Sequence, residues 1–362
     1  MKRLLAQSRM LVPILAALSV GAVTTTSADG AAFAVSSLAD SGAGTLRQAI
    51  TDANAAPGAD TVSFGLGGTI TLASTLPPIS DAAGLTISGT GQSVVISGNS
   101  AVVVMQVATG ALLALNDLTI ANGNGGGGGL SNSGTVTITN STFSGNSAPG
   151  SFGGAINSGG GSTLNVTNSS FAANSATGGF GGAIYSNSGT VTVTNSTFSG
   201  NSATGGFGAA VFNNGVGGVT LRNTIVTNSV GTGNCSGAIA NGGNNIDSAA
   251  TCGWGSASGS MSSTDPLIGP LANNGGPTQT FALLAGSPAI NGVSFGAPNS
   301  APATDQRGTA RPQGTAFDIG AYEFAVVVAA LPPVATPTVN VWALMLFILF
   351  AGLISVRYTS RN

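Results

Sequence analysis

The sequence predicts an all-β fold, a right-handed parallel β-helix closed by a cap at each end. Residues 128–228 repeat one phrase four times: GGAI, a T-V-T-V-T-N run about seven residues on, then F-x-x-N. That last phrase reads Phe143-Ser144-Gly145-Asn146, Phe171-Ala172-Ala173-Asn174, Phe198-Ser199-Gly200-Asn201 and, in degenerate form, Ile225-Val226-Thr227-Asn228. Its first positions lie 28, 27 and 27 residues apart, a period that marks a solenoid whose repeats bury their apolar sides against their neighbours. Within each repeat the side chains alternate. Val136, Leu164, Val191 and Val219 share an inward position, as do Ile138, Val166, Val193 and Leu221 two residues further along. Between and beyond them stand Thr137, Asn165, Thr192 and Thr220, then Thr139, Thr167, Thr194 and Arg222. Period two with apolar residues in and hydroxyls out is a half-buried strand. A β-propeller is the rival, but its blades need about 40 residues and four longer strands. Composition agrees with a solenoid: 57 of 362 residues are glycine and 42% are hydrophobic, so the chain is rich in corners without being too polar to fold.

The elements follow in chain order. Lys2, Arg3 and Arg9 precede an apolar run from Leu11 to Val23, and Thr26-Ser27-Ala28 offers small residues for cleavage, so residues 1–28 read as a secretory signal. Residues 29–110 form the N-terminal cap and opening coils, and residues 111–230 the regular coils. In those coils two asparagine columns are expected to stack as ladders along the axis, because an amide can bond an identical amide one coil away. The first is Asn140, Asn168, Asn195 and Asn223, the second Asn146, Asn174, Asn201 and Asn228. Gly153-Gly154 and Gly181-Gly182 supply tight corners where a Cβ would clash. Helices are not expected in the repeats, where Gly, Asn, Thr and Ser dominate and no 3.6-residue pattern occurs.

Residues 231–324 are an end module holding the two cysteines, Cys235 and Cys252. In an exported chain an isolated pair reads as a disulfide, with a two-cysteine metal site the lesser alternative in a sequence without histidine. A Pro/Ala/Val-rich linker, 325–336, leads to residues 337–362. There Val339–Val356 is apolar apart from Asn340 and Ser355, and Arg357 and Arg361 follow. Eighteen residues is near the lower limit of a bilayer span, and the arginines favour a cytoplasmic C-terminus.

Several segments resemble known families. The GGAI and FxxN phrases resemble the repeats of the chlamydial polymorphic outer-membrane proteins and related pectin-lyase-like β-helices. The stretch from Asn234 to Glu323 is similar to the C-terminal half of the bacterial choice-of-anchor Q domain. Its matching phrases are Gly242-Gly243-Asn244-Asn245-Ile246-Asp247, Asp265-Pro266-Leu267, Asn274-Gly275-Gly276-Pro277-Thr278, Gly286-Ser287-Pro288-Ala289-Ile290, Asp305-Gln306-Arg307-Gly308, Arg311-Pro312 and Asp318-Ile319-Gly320-Ala321-Tyr322-Glu323. Gly44-Thr45-Leu46-Arg47-Gln48-Ala49-Ile50 through Asn54 resembles the opening segment common in such proteins. The tail, Thr336-Pro337-Thr338-Val339 with Trp342, an apolar run and Arg357, resembles the IPTL-CTERM sorting signal, with Thr336 and Val339 where that family has Ile and Leu. The resemblance implies an exosortase-type sorting enzyme as partner and surface display as outcome; a plain C-terminal membrane anchor is the alternative.

Chemistry has little to work with. Only 6% of residues are charged. From Asp29 to Thr336 four basic residues (Arg47, Arg222, Arg307, Arg311) face all eleven acidic ones, a net charge of −7, so neither nucleic acid nor anionic lipid is attracted. Between residues 111 and 230 only Asp117 and Arg222 are charged, too few for paired general acid/base work. A Ser-His-Asp triad needs a histidine that is absent. Gly123-Asn124-Gly125-Gly126-Gly127-Gly128 satisfies GxGxxG only as any glycine run does, with no helix after it. The Asn140, Asn168 and Asn195 sequons read as ladder positions before glycosylation sites. Asp305, Arg307, Arg311, Asp318 and Glu323 read as a network closing the open end of the solenoid, ahead of calcium or ligand binding. The threonine rows are hydroxyl arrays such as an ice- or glycan-facing surface presents, though Asn165 and Arg222 interrupt them and Thr favours strands anyway. No catalytic, cofactor or metal site is expected. The leading expectation is an exported, surface-displayed, non-enzymatic β-helix of structural or adhesive role, with a surface glycan or host ligand unspecified. A carbohydrate-binding or polysaccharide-processing β-helix enzyme is the alternative.

Overall fold

The computed structural model describes residues 29–294, 301–325 and Leu346. Residues 29–262 wind into a parallel β-solenoid with three faces, built of nine, nine and six strands. In one regular coil the chain runs through Thr135–Thr139 on face A, Thr142–Ser144 on face B and Ile156–Ser158 on face C. The next coil repeats these as Thr163–Thr167, Ser170–Ala172 and Ile184–Ser186, each strand paired in parallel with the one before it. Alternation decides which side faces in. Val136, Leu164, Val191 and Val219 are paired in one column and Ile138, Val166, Val193 and Leu221 in another, all fully buried. Phe143, Phe171 and Phe198 stack inside the solenoid with ring centroids 5.2 and 4.5 Å apart, as their period implies.

Face A carries its outward side chains in straight rows. One row runs Thr61, Thr86, Ala114, Thr137, Asn165, Thr192, Thr220, Ala240, with every neighbouring pair in register. A second runs Ser63, Ser88, Asn116, Thr139, Thr167, Thr194, Arg222.

The second asparagine column forms the expected ladder over three coils. Asn146 Nδ2 donates to Asn174 Oδ1 and Asn174 Nδ2 to Asn201 Oδ1, both at 2.9 Å, and all three residues are fully buried. Asn228 is not its fourth member. Phe198 pairs with Val226, not Ile225, so this coil is one residue longer than the F-x-x-N phrase suggests. Asn228 therefore falls on the corner slot of Gly145, Ala173 and Gly200, shares their positive φ (52° against 62°, 51° and 68°) and lies exposed. Ile225 turns its side chain out of the solenoid into a second apolar cluster, while Val226 takes the inward position.

The first column is a ladder at one end only. Its four members all hold positive φ of 45–52°, the corner between faces A and B. Asn223 donates to Asn195 and Asn244 to Asn223, but Asn168 gives its amide to the Thr304 carbonyl and Asn195 to that of Asp318. The left-handed corner turns these side chains toward a neighbouring segment. Serines beside them make the continuous ladder instead: the Ser141 N–H donates to Ser169 Oγ, and that of Ser169 to Ser196 Oγ.

Two departures concern the ends. A helix, Leu46–Ala55, packs Leu46, Ala49, Ile50 and Ala53 into the core beside the first strands. The Thr45 side chain caps it by accepting the Gln48 N–H. The fold is thus nearly, not wholly, all-β. The second departure is the C-terminal module. An antiparallel pair, Ile268–Ala272 with Thr280–Leu283, and residues 301–324 lie along face B, hydrogen-bonded to Asn140, Thr142, Asn168, Ser170 and Thr197 of the middle coils. Gln306 shows this best. Fully buried, it donates from Nε2 to Thr142 Oγ1 and Thr278 Oγ1 and accepts from Ser170 Oγ. Leu283, Ala289, Val293 and Ile319 pack with Ile225 and Ile246 to form the second cluster. Face B bears small hydroxyl residues outward, so a strap can dock there by hydrogen bonds.

Cys235 and Cys252 are disulfide-bonded, with Cα atoms 4.8 Å apart. Among the described residues no helix is long and apolar enough to cross a membrane. The signal sequence and the sorting residues Pro337, Thr338, Val339, Trp342 and Arg357 lie outside the described residues.

Candidate functional site: an exposed aromatic platform

Between faces B and C each regular coil makes a wide turn. In the first it runs Ser147-Ala148-Pro149-Gly150-Ser151-Phe152-Gly153-Gly154. Ala148 is buried, Gly150 turns the chain with φ 64°, and Gly153, with φ 66°, sends it back inward. A Cβ on Gly153 would meet the Ile156 carbonyl oxygen at 2.1 Å, so only glycine fits that corner. The geometry leaves the preceding residue on the rim, and in three successive coils that residue is phenylalanine: Phe152, Phe180 and Phe207.

These rings stack on one another at 5.8 and 5.9 Å between centroids. Tyr185 and Phe212 emerge from the middle of adjacent face C strands and fill in behind them. Phe152 lies 4.6 Å from Tyr185, Phe180 4.9 Å from Phe212, and Tyr185 5.7 Å from Phe212. The result is a continuous five-ring platform. Phe152 is 38% and Phe207 52% exposed, whereas Tyr185 is 5% exposed and gives the platform a rigid floor. The Tyr185 hydroxyl accepts from Asn214 Nδ2 at 2.8 Å. Hydroxyl pairs flank the rings, Ser175 with Thr177 at 3.1 Å and Ser202 with Thr204 at 3.0 Å. No charged residue occurs from Leu118 to Leu221, so the surroundings are neutral donors and acceptors throughout. Apolar ring area beside neutral hydroxyls suits ligands that are apolar on one side and polyhydroxylated on the other; it offers nothing to an ion.

None of these five rings was singled out by sequence reasoning, although the signal was present: Phe152 and Phe180 each precede a flagged glycine pair, and Phe207 precedes Gly208, at spacings of 28 and 27 residues. Recognising it required knowing that the slot before the glycine faces solvent.

The ionic cluster is a different object. Arg311 and Glu323 form an ion pair at 2.7 Å with both side chains fully buried, and Arg307 pairs with Asp305 at 2.6 Å. Glu323 also accepts the Gln313 and Asp318 N–H groups, and Asp305 those of Arg307, Thr309 and Glu323. Arg307 lies 3.6 Å over the Tyr322 ring. Burial raises the Asp318 carboxyl to about 6, against the N–H groups of Asn291 and Phe324 that favour its ionised form. Burial likewise lowers Arg311, with Glu323 opposing. These groups are spent holding residues 301–324 in a single shape against face B. Among the described residues, shallow depressions include one of about 290 Å³ beside Pro277 and Gln279 and one of about 310 Å³ beside Leu112 and Thr137; no ionisable side chain lines either.

A family model described as the right-handed beta helix region matches residues 80–250. The match falls within the solenoid, and the strand topology agrees with it in giving residues 29–262 a β-helix fold. No curated protein matches it. Solenoids of this handedness serve enzymes and structural proteins alike, so function must be argued from the surface.

Proposed function

We propose that this is an exported, surface-displayed, non-enzymatic β-helix protein of adhesive role, holding a neutral glycan on the platform of Phe152, Phe180 and Phe207. The exposed aromatic platform carries the reading. Aromatic area of this size left in water is costly unless a partner covers it, and the uncharged 104-residue stretch around it favours a neutral partner over an acidic one. Export is supported by the N-terminal signal pattern and by the Cys235–Cys252 disulfide, a bond that persists in oxidising compartments. Display would follow from the tail, with an exosortase-type enzyme reaching Pro337 and Thr338 just outside the bilayer while Arg357 and Arg361 hold the C-terminus inside. The carboxylates of the end module support a non-catalytic reading because their oxygens are engaged by backbone N–H groups and arginines.

A glycan-array and cell-binding comparison of the exported protein with its Phe180→Ala/Phe207→Ala variant tests this. The expected result is retention on neutral glycans by the first and loss of about tenfold or more by the second. Equal retention by both overturns the assignment, and release of shortened sugars from the array would make the protein an enzyme.

A further inference from the structure

We infer that face A is an ice-binding plane, a function separate from the aromatic platform and independent of it. The observation is a two-dimensional lattice of short side chains held by the backbone. Strands of face A lie about 4.8 Å apart, and outward residues recur about every 6.7 Å along each strand. Successive coils pair in register, without a bulge, from Asp60 to Asn241, and in the three coils from Thr135 to Thr194 the outward hydroxyls therefore fall on a grid; the coil before them presents Leu112, Ala114 and Asn116 in the same columns. The grid is densest where Thr135, Thr137 and Thr139 adjoin the equivalent residues of the next coils.

The residue type matters as much as the spacing. Threonine offers a hydroxyl, able to donate and accept, beside a methyl group that holds no water of its own. Its branched Cβ restricts χ1, so the hydroxyls are fixed in direction before any ligand arrives. Its second row runs through six coils, Ser63 to Thr194, before reaching a charge at Arg222. A charged side chain would keep its own hydration shell and disturb an ordered water layer; the three threonine-rich strands, Thr135–Thr139, Thr163–Thr167 and Thr190–Thr194, present none. Behind it, every inward residue from Val136 to Leu221 on these strands is buried to 1% exposure or less, so the plane cannot relax.

Each hydroxyl alone binds water weakly. Only a ligand that is itself periodic in two dimensions can engage many such sites at once, and there the gain multiplies as in any multivalent contact. The oxygens on a prism face of ice repeat over comparable distances in both directions, which selects ice over a single soluble molecule. Asn116 and Asn165 keep a donor and acceptor in the rows, and Ala114 supplies a methyl at its place.

The test uses the intact exported chain, watched on a single ice crystal held just below its melting point. Faceted crystals, a gap between freezing and melting, and partition of the protein into a growing ice front are expected. Thr137→Lys with Thr192→Lys should abolish all three, and Thr137→Val with Thr192→Val, which keeps strand preference, should narrow the gap at least twofold. Phe207→Ala should leave the gap unchanged. Round crystals with no gap overturn the inference, as does a gap that survives the lysine pair. Retention on crystalline cellulose without any effect on ice would assign the plane to a crystalline polysaccharide and likewise overturn it.

Discussion

Replacing Asn174 by alanine tests whether the inner ladder stabilises the coils. Asn174 is fully buried and makes four side-chain hydrogen bonds. It donates to the Phe143 carbonyl and to Asn201 Oδ1, and its own Oδ1 accepts both the backbone and the side-chain N–H of Asn146. A neutral buried hydrogen bond contributes about 1 kcal/mol net. Four of them give roughly 4 kcal/mol, and a buried N–H left without a partner, as at Asn146, sits at the costly end of that range. A domain is commonly stable by about 5–15 kcal/mol, so the variant should lose a large fraction of it. Asn174→Asp should be at least as damaging, because it forfeits both donor bonds and places a buried carboxylate oxygen against Asn201 Oδ1. Asn228→Gly is the control: Asn228 is exposed at φ 52°, a slot glycine fills without strain, so its cost should lie within about 0.5 kcal/mol of zero. Urea unfolding followed by circular dichroism reads all three. If Asn174→Ala costs under about 1 kcal/mol, or Asn228→Gly costs as much as it does, the ladder is not what holds these coils together.

Two further outcomes are expected. Asp318 has a folded value of about 6 against 3.8. Its protonated form is therefore favoured in the folded state, and its contribution is present in full below pH 3.8 and lost as pH rises through 6. Urea midpoints measured between pH 4 and 7 should carry a falling component with rising pH, on the order of 1–2 kcal/mol after solvent screening and missing from Asp318→Asn; an identical slope in both proteins would refute it. Replacing Cys235 and Cys252 by serine opens a loop of separation 17 and should lower stability by about 3 kcal/mol, whereas an unchanged midpoint would show that the bond constrains nothing.

How far the sequence reached can be traced residue by residue. The strands of faces A and B, the inward columns and the internal phenylalanine stack were legible because period-two alternation and a fixed repeat length report backbone geometry directly. The helix at Leu46–Ala55 was legible too, in Leu46, Ala49, Ile50 and Ala53 behind a Thr cap, yet its ten residues were outweighed by the strand-rich chain around it. Asn228 misled because sequence alignment favours the matching letter, whereas register is set by pairing, and the coil carrying Val226 is one residue longer.

The sequence by itself determined that this chain would coil, what faces inward, and that its repeats would carry almost no charge. Tertiary structure decided where the outward residues go. Only stacking turned separate threonines into a grid and three distant phenylalanines into one platform, since neighbours across coils are some 27 residues apart in the chain. It also decided that Gln306 holds the C-terminal strap to the flank of the solenoid, while the buried Arg311–Glu323 pair fixes the strap's own shape. A strap's docking place depends on hydrogen-bond partners arriving from Ser141, Thr142 and Ser170, more than 130 residues earlier, and no local pattern encodes that meeting.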